Sequence, residues 1–205
     1  MNGKRDRSVI RHGFKLLILK AILGGLAAVI AMLLMRIVGS REILVAFFIG
    51  LIPGIAEKSP KKVVYGVVLA LVGYAVGARV SAALAEKIIQ EVPFGHWAIV
   101  GGFIGMTAGI SRTKGQWFSF RFLVWTLGAF YGFVFGLIFG FLGDIGGFLT
   151  IPFGESLGLH YYLREVSLLC AGVFINIGAA LAAMLADALN NGLWRVARAV
   201  EQVEA

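Results

Sequence analysis

The sequence predicts an all-α fold: a polytopic membrane helix bundle of about six transmembrane helices, two of them short. Three observations carry this. Of 205 residues, 59% are hydrophobic and only 15% charged, against about 25% charged in an ordinary soluble domain. The apolar residues are gathered into long runs, and the mean hydropathy is +0.88. The Lys and Arg residues fall at the ends of those runs and not on one basic face.

Residues 1–15 are polar and basic, a tail carrying Lys4, Arg5, Arg7, Arg11 and Lys15. The first run, residues 16–38, is long enough to cross about 30 Å of hydrocarbon. Lys20 lies inside it and is expected to snorkel back to the headgroups. The second run, residues 43–56, carries Pro53 and is short for a span. A polar loop, residues 57–62, leads to a third run, residues 63–84. An amphipathic connector, residues 85–94, precedes a second short run, residues 97–110.

After a basic loop at residues 111–116 comes the fifth run, residues 117–142. The stretch 143–162, rich in Gly and Pro, reads as too broken for a plain span. The sixth run, residues 163–189, ends the transmembrane domain that began at residue 16, and residues 190–205 form a polar tail.

Six crossings place residues 1–15, 57–62, 111–116 and 190–205 on one side, and these hold twelve of the 19 Lys and Arg residues. The positive-inside rule then assigns both termini to the cytoplasm of a cell that holds the chain in its inner or plasma membrane. The net charge of +8 is a product of this topology and does not point to nucleic acid. The lone Cys170 sits in an apolar run, so no intrachain disulfide is possible.

A tandem helical-hairpin repeat is expected from an offset of 55 residues, with copies at about 43–84 and 97–142. Phe48-Ile49-Gly50 falls on Phe103-Ile104-Gly105, Gly54-Ile55 on Gly109-Ile110, Gly73 on Gly128, and Gly77 on Gly132. Glycines also recur every fourth residue, at Gly101, Gly105 and Gly109 and at Gly128, Gly132, Gly136 and Gly140. Such stripes let helix backbones approach closely, within one chain or between copies.

Candidate chemistry is sparse. An ionisable residue at membrane mid-depth marks an ion or proton path, and none reads as clearly central. The most central polar residue is Asn176, expected to make an interhelical hydrogen bond or, alternatively, a ligand contact. Asp144 is expected to be a solvated loop acid, or else to pair with Arg79 or Arg164, or to bind a solute. With Asn176, Asp144, Arg79 and Pro53 form the candidate ligand-binding set. His12, His96 and His160 are scattered and form no metal motif, and no cofactor is implied.

Two local resemblances add expectations. The stretch Gly143-Asp144-Ile145-Gly146-Gly147, with Ala27-x-x-x-Ala31 in the first span, resembles the substrate-binding membrane component of energy-coupling-factor vitamin transporters, which implies solute binding. In that family the Gly-Asp stretch comes early, whereas here it precedes the last span. The segment Ala108-Gly109-Ile110-Ser111-Arg112 resembles the Pro-Gly-x-Ser-Arg segment of undecaprenyl-diphosphate phosphatases, with Ala108 in place of the proline. By charge and hydrogen bonds Ser111, Arg112 and Lys114 are suited to hold a phosphate, though the favoured expectation is a topology-setting loop that faces lipid headgroups.

The first functional expectation is a non-enzymatic membrane subunit or scaffold, packed through its glycine stripes as a homo-oligomer or with other membrane subunits in the lipid bilayer. The alternative is a transporter or channel for a small solute or ion, with its site at the short Gly/Pro-interrupted helices. A lipid-linked phosphate enzyme is third.

Overall fold

The computed structural model describes residues 3–38, 42–87, 96–109, 118–156 and 163–203. All elements in these segments are helical: α1 (Gly3–Val38), α2 (Ile43–Ala56), α3 (Pro60–Lys87), α4 (His96–Gly105), α5 (Phe118–Ser156) and α6 (Leu163–Val203). A 3₁₀ turn, Met106–Gly109, prolongs α4. Four stretches are long and apolar enough to cross a membrane: Gly13–Val38, Pro60–Ala83, Trp125–Gly146 and Val166–Ala188. The described residues thus form an all-helical bundle whose four long apolar helices fit a membrane.

Each helix packs on the next in sequence, and α6 returns to α1, which closes the ring. Close approaches fix the directions. Gly13 lies against Met184 and Gly24 against Gly172, so α1 and α6 are antiparallel. Gly50 meets Gly66 and Gly54 meets Val63 between α2 and α3, while Gly73 meets Val100 and Gly77 meets His96 between α3 and α4. The start of α1 and the end of α6 therefore share one end of the bundle, here called the terminal end. Both short helices run towards it from the opposite end.

The short helices are the enclosed ones. Val45, Ala46 and Ile49 of α2 join Val100 and Ile104 of α4 and Ala171, Ile175 and Ala179 of α6 in one buried core. The long helices turn Ile22, Leu33, Val64, Val68, Phe130 and Ile138 outwards. In water so many exposed apolar side chains would be costly; against lipid they are the solvent-facing surface that the fold requires.

The glycine stripes are used inside the chain. At the α4–α5 crossing the carbonyl oxygen of Gly132 occupies the place a Cβ on Gly105 would need, and Gly136 stands in the same relation to Gly101. Gly140 meets Trp97, and Gly109 meets Trp125 and Ala129. Only hydrogen in place of a side chain allows such contact. The two hairpins share this device in their first arms, where Gly50 and Gly105 each touch a glycine backbone. In their second arms the partners are Gly66 and Gly132, which the 55-residue offset does not superpose. Gly73 and Gly77 face α4 rather than α2.

Three element boundaries differ from expectation, the first being that of α1, which begins at Gly3 inside the stretch expected as a tail. The helix α5 continues through Gly143, Asp144 and Gly146 to Ser156, so the first part of the stretch 143–162 is not a loop. Gly143 lies against Ala171 and Gly146 against Cys170, and this packing on α6 holds helical a segment that propensity alone would break. The helix α6 likewise runs on to Val203, past the expected end at residue 189.

Candidate functional site

The turn after α2 is short and fully specified. Ser59 N–H donates to the Gly54 carbonyl and Lys58 N–H to that of Ile55, the paired bonds of a Schellman C-cap with Glu57 as the cap residue. Lys58 takes the left-handed position at φ 52°. Ser59 then caps α3: its Oγ accepts from Lys62 N–H at 3.4 Å, and Pro60 opens the helix where a missing N–H costs nothing.

This turn sets Glu57 between two ammonium groups. Its Oε1 accepts from Lys20 Nζ on α1, and its Oε2 from Lys62 Nζ in the first turn of α3, both at 2.6 Å. The side chains are 1% exposed for Lys20, 8% for Lys62 and 13% for Glu57. Asp187 on α6 lies within electrostatic reach of Lys20. Burial alone would push the Glu57 carboxyl up, but Lys20 and then Lys62 outweigh it and hold the group below its ordinary value.

The lysines have a second electrostatic role. The C-terminal end of a helix carries partial negative charge and its N-terminal end partial positive charge. Two ammonium groups gather at the C-terminal end of α2. At the N-terminal end of α4, Asp144 Oδ2 accepts from Ala98 N–H at 3.3 Å. Neighbouring elements thus supply matched charge to the ends of the short helices.

Beside Asp144's end of the bundle, His96 is buried edge-on to Tyr74, their ring centroids 4.8 Å apart. Its ring also hydrogen-bonds to the Gly77 backbone. Among the described residues, the His96 Nε2, the Ser81 Oγ on α3 and the Asn176 Oδ1 on α6 are buried without a hydrogen-bond partner. Asn176 is wholly buried, and its Nδ2 donates to the Gly172 carbonyl of its own helix at 3.0 Å. That bond replaces the expected interhelical one, because the Gly24–Gly172 contact brings backbone rather than a polar side chain alongside.

The four residues expected to bind ligand stand on four helices. Pro53 is buried in α2 near the terminal end, while Asp144 caps α4 at the other end. Arg79 is exposed on α3, and Asn176 lies between α1 and α6. None of the described hydrogen bonds or ion pairs joins any two of them. Ser111, Arg112 and Lys114 lie outside the described residues, as does the side chain of Arg164.

Sequence reasoning missed the Lys20–Glu57–Lys62 node. Lys20 does not snorkel, and Glu57 is not a solvated loop residue. A signal was present: one lysine within an apolar run, and one carboxylate directly after a run too short to span. Comparisons with protein families, curated proteins and solved structures gave no match.

Proposed function

We propose that the protein is a non-enzymatic, multi-pass membrane transporter or channel for a small polar solute, with its site at the ends of the short helices. The observation that carries this reading is the enclosure of α2 and α4 by four membrane-length helices. A 14-residue α2 reaches about 21 Å, short of the roughly 30 Å of hydrocarbon. Helix ends left at membrane depth are tolerated where they are buried in protein or line a polar path, and broken or half-length helices are where solute sites are built. In this reading the buried charges at the end of α2 line the cytoplasmic mouth of such a path.

In this reading the bundle lies in the inner or plasma membrane, and both termini, with the Glu57 turn, face the cytoplasm. The 55-residue repeat would account for two short arms of the same length and direction. Assembly as a subunit or scaffold is less favoured, because Gly101, Gly105, Gly132 and Gly136 already meet inside the chain. Those stripes are not free to join copies.

The test is tracer flux. Protein reconstituted into phosphatidylcholine vesicles should pass at least one of sodium, chloride, phosphate, acetate or glycerol faster than empty vesicles do. The flux should fall in Lys20→Met. If every tracer moves equally in protein-containing and empty vesicles, the transport reading is overturned.

A further inference from the structure

We infer that Lys20 and Lys62 form an oxyanion site whose resident ligand is the protein's own Glu57 carboxylate, displaced together with proton uptake when a phosphate- or carboxylate-type monoanion enters. The inference rests on the transport reading for its biological purpose, and names the class of solute that the node would take.

The geometry supplies the first argument. Each oxygen of one carboxylate faces a different ammonium nitrogen at 2.6 Å, the bridging arrangement that an incoming oxyanion would adopt with the same two donors. Glu57 therefore stands where such an anion would stand. It is also the most exposed member of the trio, on the tip of a turn at the terminal end, while Lys20 is sealed. The carboxylate, on the turn, is the member of the trio nearest to water, and the ammonium groups reach it from α1 and α3.

Charge balance supplies the second. Two buried ammonium groups with only the weaker field of Asp187 to offset them are strongly unfavourable, so departure or neutralisation of Glu57 is favoured when another anion takes its place. The balanced step is proton binding by the Glu57 carboxylate, breakage of its two ion pairs, and formation of ion pairs from the anion to Lys20 and Lys62. One proton and one monoanion enter together, and the charge of the node is unchanged. The groups facing the site are Lys20 from α1, Lys62 from α3 and Asp187 from α6. Lys58 and Lys61 on the turn point outwards. The negative charge of Asp187, the weakest of the charges acting on Lys20, weighs against a dianion.

The experiment is calorimetric titration of the full chain in phosphatidylcholine nanodiscs with inorganic phosphate and with acetate. Repeating it in buffers of different ionisation enthalpy counts protons. One proton should be taken up per acetate, and per phosphate once the protons that convert hydrogen phosphate to dihydrogen phosphate are subtracted, and acetate affinity should fall about tenfold per pH unit on the alkaline side. Glu57→Gln, which has no carboxylate to displace, should bind acetate without proton uptake and without this pH dependence. Its thermal unfolding midpoint should rise with phosphate or acetate more than that of the wild type.

Lys20→Met with Lys62→Met should abolish binding. The wild-type proton count needs no variant, so a misfolded mutant leaves the test intact. Discs containing phosphatidic acid but no free phosphate separate the sources: a raised midpoint there marks a lipid headgroup, and one with inorganic phosphate alone marks a soluble anion. Both outcomes support the site. Anion binding without proton uptake, or no binding of either anion or lipid phosphate, overturns it. Proton-linked binding without flux would sink transport and leave the site standing; flux of a cation or glycerol without anion binding would do the reverse.

Discussion

Lys20 of α1 and Glu57 at the C-cap of α2, 37 residues apart in sequence, meet at 2.6 Å with the lysine almost wholly buried. Lys62 completes the group from the other oxygen. The node ties the first three helices together at the end where α2 stops short, and it governs both the stability and the proposed chemistry of the bundle.

Removing the shared carboxylate should cost more than removing one of its partners. Glu57→Gln leaves two ammonium groups facing each other, and loss of a buried counter-charge costs about 3 kcal/mol or more. Lys20→Met leaves Glu57 and Lys62 as a neutral pair and should cost less. Chemical unfolding in a mild detergent, followed by tryptophan fluorescence, ranks the two; the opposite order would refute this account of the node.

The same group sets a pH dependence. The Glu57 carboxyl is held below its ordinary value in the folded protein. Its contribution to stability is therefore complete above the ordinary carboxylate range and is lost as pH falls through the folded-state value. The stability difference between wild type and Glu57→Gln should be largest at neutral pH and shrink on acidification. A difference that grows towards acid would reverse the sign of the argument.

Lys58 occupies the left-handed C′ position at φ 52°, where a Cβ is penalised and glycine is not. Lys58→Gly should stabilise the protein by about 1 kcal/mol. Its exposed side chain makes no described hydrogen bond that the change would remove. Destabilisation in the same unfolding assay would contradict the Schellman geometry of the turn.

Glycines that look alike in sequence should respond differently to alanine. At Gly105 a methyl group would meet the Gly132 backbone, which cannot give way. At Gly146 the nearest atom is Cys170 Sγ at 3.6 Å, ordinary contact. Gly105→Ala should be strongly destabilising, with no change in the oligomeric state of the protein that remains folded. Gly146→Ala should be neutral or stabilising, by up to about 1 kcal/mol from helix propensity. Light scattering with thermal unfolding reads both quantities.

The orientation of the bundle is open to direct measurement. Lys61 is exposed on the turn at the terminal end. A membrane-impermeant maleimide applied to intact cells should leave Lys61→Cys unlabelled until the membrane is opened. Labelling before permeabilisation would put the termini outside.

Much of the bundle was legible in the residues. The four long helices follow from run length and hydropathy, and α2 was foreseen as a short run, because lipid demands continuous apolar segments with their backbones satisfied internally. Less legible was the continuity of α5 through Gly143 and Gly146. A glycine's meaning depends on what stands opposite it, and Ala171 and Cys170 lie more than twenty residues further on. The site was legible only in pieces. Asp144 and Asn176 were singled out, yet the first caps a neighbouring helix and the second bonds within its own.

What the sequence by itself determined is the helical class of this protein and the position of its four long apolar segments, each long enough to cross a membrane, since transfer into hydrocarbon is a property of each segment alone. Only the tertiary structure decided which charges meet. Lys20, Glu57 and Lys62 belong to three separate elements, and each alone would seek water. Their burial is tolerable only because α1, the α2 turn and α3 bring opposite charges within hydrogen-bond reach, a pairing energy that exists between segments and not within any one of them.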